Sequence, residues 1–375
     1  MLPDDVTREG QRVLTICNAC RYCEAYCPVF PAMERHTSFE SSDLTYLANL
    51  CHNCGECLYA CQYAPPHEFG VNIPRTLAQI RVASYDQYCW PHFLGFAFRR
   101  SGIFTALIIS LLASAIVACL AVALARAEPN YGHGDFYAVV PHQAMMVLFG
   151  GVSIIVGIAL SIGFLRLWRD LKGGQRSVAN RTSIVQGFRD ALTLSHLDND
   201  GVDCTNAEET RSPFRRWFHH LTSYGFGLCF ASTCVAATYH AFGWHEPYPY
   251  TSLPVLLGTS GGLALLVGPI GLFAMQRRRD PALADPTQHG MEESFLALLV
   301  LTALSGLLLL ILRDGAAMRA LLIGHLGCVL GLFVTLPYGK FVHGIYRTAA
   351  LVKYAAESSG AGEATRIVSP GTGIL

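Results

Sequence analysis

The sequence predicts a mainly α-helical chain in two parts, a cysteine-rich N-terminal domain followed by a six-helix transmembrane bundle. Two patterns carry that expectation. Eight of the 14 cysteines fall between residues 17 and 61, and long apolar runs occupy most of the stretch from 101 to 342. Charge is scarce: 14% of residues are Asp, Glu, Lys or Arg, against about 25% in ordinary globular proteins. Lys plus Arg and Asp plus Glu number 27 each. That balance offers no basic excess for nucleic acid.

The cysteines come in two runs. The first is Cys17-Asn18-Ala19-Cys20-Arg21-Tyr22-Cys23-Glu24-Ala25-Tyr26-Cys27-Pro28, and the second is Cys51-His52-Asn53-Cys54-Gly55-Glu56-Cys57-Leu58-Tyr59-Ala60-Cys61. Both follow the C-x2-C-x2-C-x3-C spacing of two-cluster ferredoxins, and only the first ends in Cys-Pro. Three cysteines on a tight loop wrap three corners of a cubane, while the fourth leaves on a helix and points to the neighbouring cluster. The expected ligands of one [4Fe–4S] cluster are therefore Cys17, Cys20, Cys23 and Cys61. Those of the other are Cys51, Cys54, Cys57 and Cys27. Zinc would need tetrahedral sites built from CxxC pairs, which this spacing does not suggest. No secretory signal precedes the runs, and the first apolar stretch starts too late to be one. A metal framework assembled in a reducing cytoplasm is expected rather than disulfides. Cys119, Cys229, Cys234 and Cys328 lie in apolar runs and read as small hydrophobes. Within this α-helical, ferredoxin-like domain, Ser41, Ser42 and Asp43 mark a helix start. Residues 74–88 read as an amphipathic covering helix.

The apolar runs place membrane helices at roughly 103–125, 141–165, 217–243, 253–275, 294–313 and 317–342, each near the ~20 residues a bilayer requires. The last is expected to continue past the Pro337-Tyr338-Gly339 break. Lys and Arg fix the direction. Arg99 and Arg100 precede the first span; Arg166, Arg169, Lys172 and Arg176 follow the second; Arg211, Arg215 and Arg216 precede the third. Arg277, Arg278 and Arg279 follow the fourth, and Lys340, Arg347 and Lys353 close the chain. The opposite connections carry only Arg126, Arg313 and Arg319. A bacterial inner-membrane protein with both termini in the cytoplasm is expected. Its organisation is a cytoplasmic cluster domain (1–98), a first helix pair (99–165), a cytoplasmic loop (166–213), four further helices (214–348) and a cytoplasmic tail (349–375).

Ionisable groups inside a membrane are costly and tend to be functional. His142, His219, His220, His240, His325 and His343 all lie within spans or at their ends. Two histidines from neighbouring helices can ligate haem b axially, and no C-x-x-C-H motif occurs for a c-type haem. His325 and His343 are eighteen residues apart. On one continuous helix they would share a face at depths about 27 Å apart. His219 and His240 would differ by about 60° around the third helix. One or two haems are expected: a proximal one on His220 or His219 with His343, and a distal one on a pair drawn from His142, His240 and His325. In the 166–213 loop, Asp198 and Asp200 precede Gly201 as in an EF-hand. That register puts His196 first and Ala207 twelfth, without the required Glu, so a docking surface for a partner is expected there instead.

Several further motifs are distinctive: Phe218-His219-His220-Leu221-Thr222-Ser223-Tyr224-Gly225-Phe226, Leu253-Pro254-Val255-Leu256-Leu257-Gly258-Thr259, and Leu336-Pro337-Tyr338-Gly339-Lys340-Phe341-Val342-His343-Gly344. With the two cysteine runs, they make nearly the whole chain resemble the tricarballylate (citrate) utilization protein B family. The resemblance implies a membrane iron–sulfur and haem protein that reoxidises the FAD of a partner dehydrogenase acting on tricarballylate. The same module resembles the C-terminal half of a fused cobalamin-biosynthesis flavoprotein.

The leading expectation is an electron-transfer subunit without substrate chemistry of its own. Electrons would leave a cytoplasmic FAD-dependent dehydrogenase, cross both clusters and haem b, and reach membrane quinone near Lys340 and His343. The chain has no Gly-rich dinucleotide fingerprint for its own FAD or NAD. The alternatives are a redox partner in cobalamin ring contraction, and a redox sensor or transporter. A transporter would use Gly258, Gly261, Gly262, Gly268, Pro269 and Gly271 in a discontinuous helix. Close helix packing would also account for those residues.

Overall fold

The computed structural model describes residues 2–124, 136–173, 179–197, 204–205, 211–244, 247–283 and 285–368. Asp198, Asp200, Gly201, Arg126 and Arg176 lie outside these residues, and the side chain of Cys204 is not described. The described fold is mainly α-helical, with six helices long and apolar enough to cross a membrane. Among the described residues the strands are limited to a short antiparallel pair, β1 (Cys204–Thr205) and β2 (Arg211–Ser212).

The N-terminal domain is built from α1 (Asp4–Cys20), α2 (Val29–Met33), α3 (Ser41–Leu50), α4 (Glu56–Tyr59) and α5 (Ile73–Tyr88). Helix α3 starts where the sequence places it. Asp43 accepts a hydrogen bond from the Glu40 amide at 3.0 Å, closing a capping box. Helix α5 is the expected covering helix, capped by Asn72, which accepts from the Arg75 amide at 3.0 Å, with Pro74 in its first turn. Leu14, Met33, Leu44, Leu47, Leu77 and Ile80 form the fully buried core between these helices. The first cysteine run starts in the last turn of α1, at Cys17 and Cys20, and continues into the loop beyond it; the second follows α3 and runs through α4, which carries Cys57.

The bundle helices are α6 (His92–Ala123), α8 (His142–Lys172), α10 (Phe214–Ala241), α11 (Leu253–Arg277), α12 (Pro286–Ile311) and α13 (Met318–Thr335). A single turn, α7 (Phe136–Val139), precedes α8, and α9 (Arg181–Thr193) lies between α8 and α10. Glycines bring α10 and α11 together: a Cβ on Gly225 would sit 3.0 Å from the Gly261 carbonyl, and one on Gly268 would sit 2.7 Å from the Thr222 amide. Helix α11 runs unbroken through Pro269. The small residues of this helix therefore serve close packing, and it lacks the break that a discontinuous transport helix requires.

One expectation is overturned. The sixth span does not continue through Pro337. Helix α13 stops at Thr335 and a new helix, α14 (Val342–Val368), begins after the Leu336–Phe341 turn. Pro337 has no amide proton with which to carry the helix on, and the Tyr338 and Gly339 amides both turn back to the Thr335 carbonyl, at 3.1 and 2.9 Å. His325 and His343 therefore sit on different helices and share no common face.

Helix α14 leaves the bundle and packs into the N-terminal domain. Ala349, Ala350 and Leu351 join the core that contains Leu14, Met33 and Leu47. The buried Glu357 carboxylate accepts from Arg35 at 3.0 Å and from the Tyr46 hydroxyl at 3.0 Å. Helix α9 packs along α14 through Gly187, whose missing side chain lets the Val352 backbone approach. The domain is thereby fixed against one end of the bundle.

Candidate functional site

The two cysteine loops lie side by side but differ in exposure. In the first, Cys17 has Cys61, Cys23 and Cys20 as its charged neighbours. In the second, Cys57 is surrounded by Cys54, Cys27 and Cys51, with Cys23 of the first group beyond them. Burial pushes the Cys17 thiol up to about 12 and Cys23 up to about 11. Cys27 and Cys57 are raised well above the usual thiol range for the same reason, reinforced by neighbouring sulfurs. Such crowded, desolvated thiols resist ionisation unless a cation takes up the charge. Among the described residues, no three His, Cys, Asp or Glu side chains close on a single-ion site.

Arg21, Tyr22, Glu24 and Ala25 of the first loop are exposed, whereas Cys51, His52, Asn53 and Gly55 of the second are buried. That second loop is held by arginines. Arg81 of α5 donates to the Ala48 and Cys51 carbonyls, each at 2.8 Å. Arg215 of α10 donates to the Asn53 carbonyl at 3.0 Å and the His52 carbonyl at 3.1 Å. Arg279, just beyond α11, donates to the Asn53 carbonyl at 2.5 Å. Arg347 of α14 donates to the Cys51 carbonyl at 3.4 Å and pairs with the His52 ring. Burial pulls the Arg347 guanidinium down to about 10 while Cys51 and Cys27 pull the other way, so it remains a cation at neutral pH.

Two of these arginines lead to histidines. His219 lies one helical turn beyond Arg215, and His343 lies one turn before Arg347. The His219 and His343 rings face each other with centroids 5.8 Å apart and planes at 82°. His343 Nδ1 donates to the Lys340 carbonyl at 2.5 Å, and His219 Nδ1 lies 3.3 Å from Ser223 Oγ. Each ring is thus fixed through Nδ1, leaving Nε2 available as a ligand. Burial pulls His343 down to about 3, helped by the Lys340 cation, so the ring is neutral. Lys340 Nζ also reaches Glu292 at 2.5 Å, and Gln276 holds the other oxygen of that carboxylate at 3.1 Å.

The remaining histidines are arranged differently. His220 stacks on Tyr224 at 5.4 Å, on the α9 side of α10, away from His343. His142 and His240 stack on each other at 3.8 Å, and Tyr137 packs edge-on against both. His325 Nδ1 lies 3.0 Å from Ser305 Oγ, and the ring packs against Gly306.

Comparison with known proteins agrees with this division. A family model described as the Citrate utilization protein B Fer4-like domain matches residues 10–92, and one described as Citrate utilization protein B matches residues 98–364. The chain belongs to the Citrate utilization protein B family. The protein of that name from Escherichia coli is 45% identical over 354 residues, covering 93% of this chain and 92% of its own length. No solved structure matches the chain.

Membership in this family makes a membrane-embedded electron-transfer role the plain reading of a Fer4-like domain joined to six spans. The arginine cradle was missed in the sequence. Arg215, Arg279 and Arg347 entered it only as markers of membrane orientation, because nothing local shows that their guanidiniums converge on one loop. The spacing of Arg215 to His219 and of His343 to Arg347 was the available signal.

Proposed function

We propose that this chain carries electrons from the reduced FAD of a partner dehydrogenase, tricarballylate dehydrogenase-like, to the quinone pool. The path runs through two [4Fe–4S] clusters and one haem b. Cys17, Cys20, Cys23 and Cys61 would hold the outer cluster, and Cys51, Cys54, Cys57 and Cys27 the inner one. The C-x2-C-x2-C-x3-C sequence spacing of both runs suits a pair of cubanes better than zinc, which takes tetrahedral sites from CxxC pairs. Bound clusters supply one-electron redox centres, and the protein supplies their position, burial and electrostatics.

One observation carries the reading. The inner loop and the His219–His343 pair are joined by Arg215 and Arg347, each a helical turn from its histidine. Two imidazoles that shared one metal ion at about 2 Å each would have ring centres roughly 6 Å apart, and those of His219 and His343 are 5.8 Å apart. The His142–His240 stack at 3.8 Å is too close to admit a metal between its rings. This favours one haem, ligated by His219 and His343. Lys340, Glu292 and the adjoining turn are the place for quinone. The arginine-rich end faces the cytoplasm of a bacterial inner membrane by the positive-inside rule, with the N-terminal domain and the start of α14 on that side.

The test is to purify the membrane protein and quantify iron, sulfide and haem alongside a dithionite-reduced spectrum. About eight irons in clusters and one haem b per chain are expected, from two cubanes and one axial pair. Absence of a reduced haem b band would sink the histidine assignment and leave the clusters standing.

A further inference from the structure

The contrast between the two cysteine loops has a consequence for direction. The inner loop is buried, and its carbonyls at Cys51, His52 and Asn53 receive guanidinium donors from Arg215, Arg279 and Arg347. These arginines come from α10, the end of α11 and α14, so three separate elements deliver positive charge to one three-residue stretch of backbone. Glu292, the carboxylate beside them, is already engaged by Lys340 and Gln276.

The outer loop is placed otherwise. Arg21 sits on it but is exposed, donating to the Asn18 carbonyl at 3.1 Å, and solvent screens such a charge. Behind burial and the neighbouring cysteines, which act on both, Glu56 adds a negative charge near Cys23 whereas Arg347 adds a positive one near Cys27. Adding an electron to a buried centre adds negative charge in a low-dielectric setting, where a nearby cation is worth far more than at the surface. Cluster potentials respond to net charge, hydrogen bonding and solvent exposure.

We infer that Arg215, Arg279 and Arg347 form an electrostatic clamp that gives the cluster on the Cys51–Cys57 loop the higher reduction potential of the two. The inference rests on the two-cluster reading above. With both clusters bound, one electron would pass from the outer, which would be oxidised, to the inner, which would be reduced, with no bond or proton exchanged. Downhill flow then runs from the exposed loop, where a soluble donor can reach it, toward the histidine pair. The arginines are positioning residues that work through the cluster.

The test is potentiometric EPR on the full-length protein in detergent, comparing the unaltered chain with Arg279→Gln, Arg279→Lys and Arg347→Gln. The unaltered protein should show two cluster midpoints. Each glutamine variant should lower the higher midpoint and leave the lower one in place, while Arg279→Lys should stay close to the unaltered value. The inference is overturned if the lower midpoint alone moves, if both move equally, or if neither moves with iron and sulfide retained. Reading two arginines separately keeps the test decisive when one variant loses its cluster. If the unaltered protein shows no cluster signals, the two-cluster reading fails first, and this inference fails with it.

Discussion

His219 and His220 are neighbours in sequence, yet a helix turns successive side chains about 100° apart. His219 faces His343, and His220 turns to Tyr224 and the α9 side. The two residues should behave oppositely. His219→Ala and His343→Ala should each abolish bound haem, read as haem per protein in purified membranes. His220→Ala should retain it. Haem lost equally from all three would refute the pairing. The sequence brought both residues forward and left the choice between them open, because the face a helix buries depends on its neighbours. The spacing of the eight cysteines suggested which sulfurs are neighbours, and the folded chain sets Cys61 beside Cys17 and Cys27 beside Cys57. The arginine cradle was not legible, because its donors are brought together from positions 81, 215, 279 and 347 and meet only in the folded chain.

At the scale of elements, most helices follow from local signals. The capping box at Glu40 and Asp43 and the Asn72 cap of α5 are readable in the chain, and apolar length alone identifies the spans. Local reasoning failed at the Leu336–Phe341 turn, where a sustained apolar run outweighed Pro337 in the reading and Pro337 decided the backbone. It also left α9 undefined. That helix is held by Gly187 against Val352 and is followed by His196, which lies beside Asp190, His52 and Tyr354. Burial pulls His196 below the ordinary histidine value, with Asp190 opposing, and the balance favours the neutral ring. An undocked segment would take up a proton near pH 6.5, whereas the docked one resists it. The docked state therefore keeps its full stability above about pH 6.5 and loses it as the pH falls below. Limited proteolysis of the segment joining α8 to α10 should speed up severalfold between pH 7.5 and 5.5. His196→Asn should flatten that dependence; a profile unchanged by the substitution would exclude His196 as its source.

Across the whole molecule, the C-terminal helix unites the two parts. A chain of six spans with a soluble domain at its start could have left that domain tethered by α6 alone. Instead α14 returns from the bundle and inserts Ala349, Ala350 and Leu351 into the N-terminal core, and Glu357 locks Arg35 and Tyr46. Lys353 approaches the same carboxylate at 3.7 Å. The helix thus helps to hold the inner loop against the histidine pair, since Arg347 lies on it between His343 and the core contacts. Ending the chain at residue 348 would leave every span in place while removing these contacts. Losing the buried leucine costs about 2 kcal/mol, and leaving Tyr46 and Arg35 without their acceptor costs roughly 1–3 kcal/mol each. Together these reach roughly 4–8 kcal/mol, comparable to the whole stability of a small domain. The truncated protein should therefore still insert in membranes but lose most of its cluster iron. Glu357→Ala, which removes only the carboxylate, should show an intermediate loss. Iron content equal to the full-length protein in both would mean that the N-terminal domain folds without α14. The contacts of Arg215, Arg279 and Arg347, with those of Asn53, Tyr59 and Asn72 to residues 280–283, would then suffice to keep the two parts aligned.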